Sequence, residues 1–534
     1  MDDAVVIGAG PNGLVAANHL ADAGWSVTVL EAASEPGGAV RTAELTVPGF
    51  RHDRFSAFYP LAVVSPALAG LDLDRHGLRW RRSPLTLANP MADGRCAIVG
   101  PDVATTAASV DRFCAGDGDA WAAMVTEWRK VAAPFLDMLF RPFPPVWPTV
   151  RLAGRLGAGE RLRFARHLLL PVRRLVEERF GGDGAGSLLA GNALHADLSP
   201  ESAGSGLYGW LLSCLAQDHG FPVPEGGAGR LTAALVDRLA DRGGTVHCDQ
   251  PVVEVVVRRG RAVAVRTADG TEVDARRAVI ADVPAPTLYG RLVDRRHLPA
   301  ALLDDVARFQ WDPGTVKVDW ALDRPVPWSA ADARLAGTVH VTDGLDGLTE
   351  QAAQLATGRL PARPFLVFGQ QAVTDPTRSP PGTDTAWAYT RVPRRLRGDA
   401  AGELDVAGGE AGWVERFADR MEDRVEALAP GFKASIRARH VAGPAALAAA
   451  NQNLDGGAVG GGTAELHQQL LFRPVPGTGR PETPVAALYL ASASAHPGGG
   501  VHGAAGANAA RAALLPAARA RAVAFGRAPL RPPR

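Results

Sequence analysis

The chain has 534 residues, of which 46% are hydrophobic, and its formal net charge at pH 7 is +1. That length and apolar fraction suit a globular enzyme of two or more domains. A nearly neutral chain lacks the basic footprint of a nucleic-acid-binding protein, so no nucleic acid is predicted as a partner. An apolar strand follows soon after Met1, which leaves no room for a signal peptide, and no apolar run reaches the roughly twenty residues of a membrane span. We therefore expect a cytoplasmic protein.

The four cysteines are scattered, without a CxxC pair or the ligand spacing of a zinc site. They are Cys96, Cys114, Cys214 and Cys248. This spacing favours isolated buried thiols, and neither a redox dithiol nor a metal site is predicted.

The first chemical motif is AVVIGAGPNGLVAANHLADAGWSVTVLE, residues 4–31. It predicts a strand, a tight turn, a helix and a second strand that ends at Glu31. Gly8, Gly10 and Gly13 occupy the glycine positions of GxGxxG, where they permit the turn, the approach of a pyrophosphate and the packing of helix on strand. Glu31 falls where an acid accepts hydrogen bonds from ribose hydroxyls. The segment predicts a dinucleotide site with its phosphates at a helix N-terminus.

The residues after this motif favour FAD over NAD. In EAASEPGGAVRT, Gly37 and Gly38 form a second glycine pair, and Arg41 follows them. Such a pair lets a loop lie against an extended dinucleotide, to which Arg41 can donate charge-assisted hydrogen bonds. The pattern resembles the GG motif of flavoproteins with two dinucleotide-binding domains. FAD is therefore the predicted cofactor.

A second FAD segment is predicted from about residue 221. Gly226, Gly227 and Gly229 precede an amphipathic helix, and alternating strands follow as far as an apolar AVIA run. This order resembles the second FAD segment of carotenoid desaturases and amine oxidases. By that likeness, the backbone of Val252 binds the adenine.

The third segment, VAALYLASASAHPGGGVHGAAGANAARAALL, predicts a strand, a glycine turn and an Ala-rich helix that begins near Gly503. In flavoproteins of this type, the turn lies against the isoalloxazine ring. Because a helix N-terminus carries about half a positive charge, it stabilises negative charge on the reduced flavin. Gly499, Gly500 and Val501 are the predicted contacts. No His or Cys stands at a defensible attachment position, so noncovalent FAD is expected.

With three segments matched, the chain resembles the phytoene desaturase-like branch of FAD-dependent oxidoreductases. The motifs that carry the resemblance are GAGPNGLVAA, FRPVPG and LYLASASAHPGGGVHGAAGANAA. Two departures stand out. Ser492 and Ser494 replace frequent glycines, and the region of Gly460 to Gly462 lacks a His-Gly-Glu found in relatives. The second departure argues against transferring a catalytic histidine from the family.

The resemblance implies a mixed α/β fold, with a Rossmann-like FAD-binding domain and an inserted substrate domain of a sheet plus a helical cap. The FAD-binding domain is predicted in three pieces and the substrate domain in two. The FAD pieces are 1–74, 221–285 and 481–534, and the substrate pieces are 75–220 and 286–480.

Candidate catalytic residues lie near the expected flavin ring. His496 and His502 flank the third glycine turn, and His52 and Asp53 belong to a loop that approaches the ring in relatives. For each histidine of the turn, a hydrogen bond that supports the loop competes with a role in proton transfer. His195 is a further polar candidate in a predicted tunnel helix, although a lone histidine in apolar surroundings more often belongs to the core.

The predicted activity is hydride transfer from a C–H bond of an apolar, isoprenoid or lipid-like substrate to flavin N5. A flavin amine oxidase and a flavin-bound scaffold with little turnover are the alternatives. No second strand-GxGxxG-helix unit is visible, so oxygen or a membrane quinone is the expected electron acceptor. The Arg-rich segment after FLDMLFRPFPPVWP is read either as an ordinary amphipathic cap helix or as a peripheral membrane contact.

Overall fold

A computed structural model describes residues 1–515 of the chain. Apolar runs bounded by glycine turns form twenty strands in this part of the chain. In order, β1 to β20 are Asp2–Ile7, Val27–Leu30, Thr42–Ala43, His52–Asp53, Trp80–Arg81, Leu85–Pro90, Cys96–Val99, Val223–Pro224, Thr245–His247, Val252–Arg258, Arg261–Thr267, Glu272–Ala281, Gly314–Leu322, Ala336–Val341, Arg359–Leu360, Leu366–Gln370, Asp384–Val392, Gly398–Asp399, Ile436–Ala442 and Leu488–Leu490.

The described residues also form eighteen α-helices, besides nine short 3₁₀ or π-helical segments. In order, α1 to α18 are Pro11–Asp22, Pro60–Val64, Pro66–Ala69, Val103–Asp111, Asp117–Phe140, Val146–Arg155, Ala158–His167, Val172–Arg179, Asp183–Leu194, Ser205–His219, Gly229–Asp241, Ala285–Thr287, Ala300–Ala307, Gly344–Ala356, Gln371–Thr374, Glu410–Glu426, Pro444–Ala450 and Ala504–Leu514. No helix within residues 1–515 is long and apolar enough to cross a bilayer.

The first sheet has the order β10-β11-β12-β1-β2-β9, and β20 pairs with β12. Strands β9, β2, β1, β12 and β20 are parallel, whereas β10 and β11 are antiparallel to their neighbours. Parallel strands present their carboxyl ends at one edge, which is where ligands bind in Rossmann-like sheets. The turns that follow β1, β12 and β20 therefore meet at that edge.

Helices α1, α11 and α18 cover one face of this sheet. Leu14 of α1, Leu235 of α11 and Ala509 of α18 belong to the same buried cluster. Helix α18 lies so close to α1 that a Cβ on Gly506 would be 1.9 Å from the carbonyl oxygen of Asn12. The close contact holds the N-termini of both helices beside the carboxyl edge of the sheet.

The second sheet has the order β19-β13-β17-β16-β14-β6-β7, with one parallel pair, β14 and β6. One face packs against α16, where Phe417 meets Trp320 and Phe368. The other face packs under the cap helices α5, α9 and α10, whose core includes Trp121 and Trp210.

The mixed α/β fold with a Rossmann-like domain and an inserted domain of sheet and helical cap is confirmed. Strands of the first sheet come from the three predicted FAD pieces, and strands of the second sheet come from the two predicted substrate pieces. The boundaries themselves stay predictions, and residues 516–534 of the last piece lie outside the described residues.

Candidate active site

A cavity of about 400 Å³ lies at the carboxyl edge of the first sheet. Its lining begins at the first glycine turn, with Gly10, Asn12 and Gly38, and continues to Phe58 and Trp387. One space therefore joins the predicted cofactor site to an aromatic wall made by the cap and the second sheet.

Asp282 follows β12 and lies against the first glycine turn. Its Oδ2 accepts a hydrogen bond from Gly13 N at 2.9 Å, and a Cβ on Gly10 would lie 2.6 Å from the same oxygen. Burial raises the pKa of Asp282 well above its usual range, the Gly13 N–H opposes this rise, and the charge of Glu31 adds to it. Gly10 leaves room for this side chain, which the motif alone does not predict.

Glu31 lies beside the segment that leads into β10. The Glu31 carboxylate accepts hydrogen bonds from Ala9 N at 2.7 Å and from Ala33 N at 2.9 Å. Gln250 N donates to the carbonyl oxygen of Glu31 at 2.8 Å. Val252, two residues after Gln250, therefore lies close to the end of β2. This arrangement suits the adenosine end of a dinucleotide, and the roles of Glu31 and Val252 stay predictions.

Arg41 is arranged differently from the expectation of a direct contact with the dinucleotide. Its guanidinium donates to Gly38 O at 2.9 Å, to Ala450 O at 2.6 Å and to the Glu35 carboxylate at 3.2 Å. Because protein acceptors engage all three nitrogens, Arg41 holds the second glycine pair in place. Gly37 N donates to Ala9 O at 2.8 Å, so this pair is attached directly to the first turn.

The third glycine turn packs against another glycine cluster. Gly499, Gly500 and Val501 all line the cavity, and so does Gly460. A Cβ on Gly499 would lie 2.6 Å from Gly460 O, so neither segment leaves room for a side chain there. Contact between two backbones is thus one reason for glycine in this turn, in addition to the predicted contact with the flavin.

Two buried charges of opposite sign hold the second cluster. Asp312 accepts hydrogen bonds from the N–H groups of Val459 at 2.9 Å, Gly460 at 2.8 Å and Gly462 at 3.1 Å. The guanidinium of Arg473, 1% exposed, donates to carbonyl oxygens of the same loop and to Ala493 O at 2.7 Å. We call Gly460 to Gly462 with Asp312 and Arg473 the glycine clamp.

His502 supports the turn. Its Nδ1 accepts a hydrogen bond from Ala504 N at 3.0 Å, so its proton is on Nε2, which donates to Gly498 O at 3.2 Å. Burial lowers the pKa of His502 to about 4, although the Gly498 carbonyl opposes that shift. A neutral imidazole with both nitrogens engaged caps α18 and closes the turn. Of the two predicted alternatives, the geometry favours support of the loop.

His496 is buried beside the same turn, although it is absent from the cavity lining. Neither ring nitrogen reaches a hydrogen-bond partner among the described residues. Burial lowers the pKa of His496 to about 4, and the nearby carbonyls of Arg141 and Leu139 only partly oppose the shift. A direct role in proton transfer stays a prediction for this residue.

His52 and Asp53 are fully buried and do not line the cavity, contrary to the expected place beside the ring. Asp53 Oδ1 lies 2.8 Å from Arg378 Nη2 and accepts a hydrogen bond from Ala228 N at 2.8 Å. Asp53 therefore joins the first loop to α11 and the second sheet. Its partners assign it to the structural framework.

His52 connects indirectly to the cavity. Its Nδ1 lies 3.6 Å from Asp319 Oδ1, and the same carboxylate pairs with the buried ammonium of Lys317, which lines the cavity. Burial by itself would raise the pKa of Asp319, but the charge of Lys317 and the neighbouring His52 lower it. The site thus contains a buried, paired cation beside the substrate space.

The far end of the cavity is aromatic. Phe58 stacks on Phe221 with ring centres 4.9 Å apart, and Trp387 stacks on Tyr389 at 6.2 Å with an interplanar angle of 9°. His195 lies within this wall, 5.5 Å from the Phe58 ring. An apolar molecule fits such a surface, since its burial is favourable by about 25 cal/mol per Å².

Asp197 faces the cavity next to the glycine clamp. Burial and the nearby charge of Asp312 raise the pKa of Asp197 to about 7, against the opposing charge of Arg391. Its oxygens accept hydrogen bonds from Ala464 N and Thr463 Oγ1, both at 3.1 Å. Asp197 is thus a further support for the clamp.

Sequence reasoning missed four residues that shape the site. Asp282 follows a strand that is parallel to β1, and Lys317 is a charged residue inside an apolar run, so both positions carried a readable signal. Asp312 carried none, because its partner Val459 lies 147 residues away in sequence, whereas Arg473 stands in the FRPVPG motif that carries the resemblance.

The described residues fit an FAD-sized group. The N-terminus of α1 faces the cavity, where its free backbone N–H groups suit a phosphate. At the third turn, the N-terminus of α18 faces the place expected for the flavin ring. These features, on a Rossmann-like sheet with an inserted apolar domain, define the class as an FAD-dependent oxidoreductase.

The chain belongs to the flavin-containing amine oxidoreductase family, which matches residues 123–393. Residues 6–66 match a Rossmann-like NAD(P)-binding domain, the region that contains the first glycine turn. Membership of this family makes the protein an oxidoreductase, which disfavours the scaffold alternative.

Two similar proteins and one solved structure extend the comparison. The chain is 30% identical to mouse (Mus musculus) pyridine nucleotide-disulfide oxidoreductase domain-containing protein 2, over 95% of this chain and 92% of that protein. It is 26% identical to the neurosporene-forming phytoene desaturase of Rhodobacter capsulatus, over 94% of this chain and 91% of that enzyme. An oxidoreductase structure from Methanosarcina mazei shares the fold, with a TM-score of 0.62 at 17% identity, over 95% of this chain and 98% of that one. The resemblance to phytoene desaturases is confirmed.

Proposed function

We propose that the protein dehydrogenates an apolar, isoprenoid or lipid-like molecule at a C–H bond, with noncovalent FAD as its cofactor. The observation that carries this proposal is the single cavity that joins the glycine turns to the aromatic wall of Phe58, Trp387 and Tyr389. A substrate seated against that wall lies in the same space as the third turn, where the flavin ring is expected.

Bound FAD supplies the hydride acceptor for such a reaction. The chain's own residues position the substrate and exclude water, which lowers the entropic cost of bringing the reacting atoms together. Lys317 is paired with Asp319 on the cavity wall, and His502 is held neutral in the turn, so the reaction site presents fixed dipoles and few free charges. Hydride abstraction from an uncharged substrate suits these surroundings.

Oxidation of an amine is the second candidate. The stacked pair Trp387 and Tyr389 lines the cavity, and two aromatic rings can receive an amine substrate. Besides the paired Lys317, the buried guanidinium groups of Arg391 and Arg473 line the same cavity and disfavour an ammonium group. An amine substrate would therefore have to enter unprotonated, which makes a neutral apolar substrate the better fit.

Oxygen or a membrane quinone is the proposed electron acceptor, with the cap touching an anionic bilayer surface. Trp147 and Leu162 of the cap helices are each 76% exposed. Exposed arginines surround them, including Arg155, Arg161 and Arg163. Apolar side chains next to basic ones favour an interface with anionic lipid.

Anaerobic titration tests the proposal. Purified FAD-loaded protein is mixed, without oxygen, with apolar alcohols, polyenes and amines while the visible absorbance of the flavin is followed. We expect stoichiometric bleaching by a neutral apolar compound. Bleaching by amines alone would favour the second candidate, and an unreduced flavin with every compound would count against both.

A further inference from the structure

Two buried histidines at the aromatic end of the cavity form a hydrogen-bonded pair. His195 follows α9, His340 lies in β14, and their Nε2 atoms are 2.7 Å apart. A hydrogen bond between two imidazole nitrogens requires a proton on one of them and a lone pair on the other. Burial lowers the pKa of His195 to about 3 and that of His340 well below its usual range, so both rings are neutral.

The surroundings of His340 decide which ring donates. Its Nδ1 is buried without a partner among the described residues. A Cβ on Gly191 would lie 2.2 Å from this Nδ1, so a Cα hydrogen of Gly191 points at it. A buried N–H without an acceptor is rarer and more costly than an unused lone pair, and a C–H group suits a lone pair. The proton of His340 is therefore on Nε2.

His195 must then accept at Nε2 and carry its own proton on Nδ1. That nitrogen makes no hydrogen bond to another described residue, and it is not among the buried unpartnered atoms. The His195 ring lines the cavity, packed 5.5 Å from Phe58 and 6.2 Å from Phe221. His195 thus presents an accessible N–H donor next to the aromatic rings of the wall.

We infer that the Nδ1–H of His195 selects an apolar substrate that carries a hydrogen-bond acceptor, either an oxygen atom or an unprotonated amine nitrogen. His340 is a positioning residue that fixes the tautomer of His195. A pure hydrocarbon would leave this donor unpaired, and an ammonium group offers only donors. The inference rests on the proposed function, because it concerns the substrate of the same cavity.

The tautomers are tested by nitrogen NMR of FAD-loaded protein that contains ¹⁵N-labelled histidine. His195→Phe and His340→Phe identify the two sets of signals. We expect the Nδ1–H form for His195 and the Nε2–H form for His340. The opposite assignment, or a positively charged ring at pH 7, would overturn the inference. His340→Gln should retain the His195 form, because its amide N–H can donate to the same nitrogen, whereas His340→Leu should not.

Binding of a matched pair of probes tests the selectivity. The probes are 2-decanone and 2-methyl-1-decene, which differ by an oxygen in place of a methylene group. Perturbation of the flavin spectrum reports their affinities without turnover. We expect the ketone to bind about tenfold more tightly, the value of one good hydrogen bond, and His195→Phe to remove that preference. Equal affinities in the native protein, or a preference that survives in His195→Phe, would contradict the inference.

Failure of the inference and failure of the proposed function give different results. If the ketone preference depends on His195 but no apolar compound reduces the flavin, the inference stands and the proposed dehydrogenation falls. If a hydrocarbon reduces the flavin and neither probe is preferred, the proposed dehydrogenation stands and the inference falls. If neither probe alters the spectrum, the tautomers measured by NMR decide.

Discussion

At the scale of single residues, His502 shows how burial and two hydrogen bonds convert a titratable group into a support for the backbone. Its Nδ1 accepts from Ala504 N, and its Nε2 donates to Gly498 O. Protonation of Nδ1 would break the first bond and place a charge in a buried site. The neutral ring is therefore part of the folded state of the turn.

This state predicts a pH dependence of stability. The pKa of His502 is about 4 in the folded protein and 6.5 when free. A depressed histidine pKa contributes stability above the unfolded value, and that contribution is lost as the pH falls toward the folded value. Between pH 7 and pH 5, the unfolding free energy should therefore fall by about 2 kcal/mol on account of His502. His502→Gln should remove this part of the pH dependence in urea unfolding of the FAD-loaded protein.

The exposed His467 provides the control, since His467→Gln should leave the pH dependence of unfolding as in the native protein. His496, with a pKa of about 4, adds its own contribution and remains in every variant compared. A pH dependence that is the same with and without His502 would show that the ring is not held neutral.

At the scale of elements, the third turn depends on the clamp as much as on its own sequence. A Cβ at position 499 would lie 2.6 Å from Gly460 O. The side chain introduced by Gly499→Val would therefore overlap this carbonyl group. One of the two segments must move, and overpacking of this kind costs about 1–3 kcal/mol. We expect roughly a 10- to 100-fold loss of FAD affinity and a lower flavin midpoint potential.

Gly154→Val is the matched control, because nothing lies within 4 Å of a Cβ at this position of α6. Flavin titration and spectroelectrochemistry measure the affinity and the potential of both variants. An unchanged flavin spectrum and potential in Gly499→Val would mean that this turn lies away from the ring.

Elements could be predicted from the sequence where the interactions that form them are local in the chain. The strand, glycine turn and helix from Ala4 to Glu31 could be predicted because each signal is local: an apolar run, GxGxxG and a helix stop. The clamp could not, because Asp312 and Gly460 are 148 residues apart and no local pattern links them. For Arg41 a contact with the dinucleotide stays a prediction, and its hydrogen bond to Ala450 O could not be predicted because Ala450 lies far away in the chain.

At the scale of the whole molecule, the exposed apolar side chains of α6 and α7 predict binding to anionic vesicles. A double variant, Trp147→Ser with Leu162→Ser, removes two side chains that are each 76% exposed. We expect sedimentation with phosphatidylserine-containing vesicles to fall several-fold and binding by the native protein to weaken with salt. Leu335→Ser is the control, as its side chain is 50% exposed but lies outside the cap.

Equal sedimentation of the native protein and the double variant would contradict the membrane contact. Native binding that is insensitive to salt and to lipid charge would contradict the part assigned to the arginines. Either result would leave the cavity and its chemistry unaffected, because the exposed residues Trp147 and Leu162 do not line it.

Domain architecture was accessible from sequence because three separate segments each carry a dinucleotide-binding signal, and the described part of each contributes strands to the first sheet. The polar residues of the substrate cavity were harder to predict from the sequence. His340 lies in an apolar strand, and its pairing with His195 depends on how the cap is placed on the second sheet. No local pattern in either segment encodes that contact.

The central claim is that noncovalent FAD occupies the space between the first and third glycine turns. Its most direct test is to denature the purified, FAD-loaded protein and to quantify the flavin in the protein-free supernatant. The account predicts free FAD at about one molecule per chain, as expected for a single dinucleotide site. Flavin that stays attached to the precipitated chain, or colourless protein that takes up no added FAD, would contradict it.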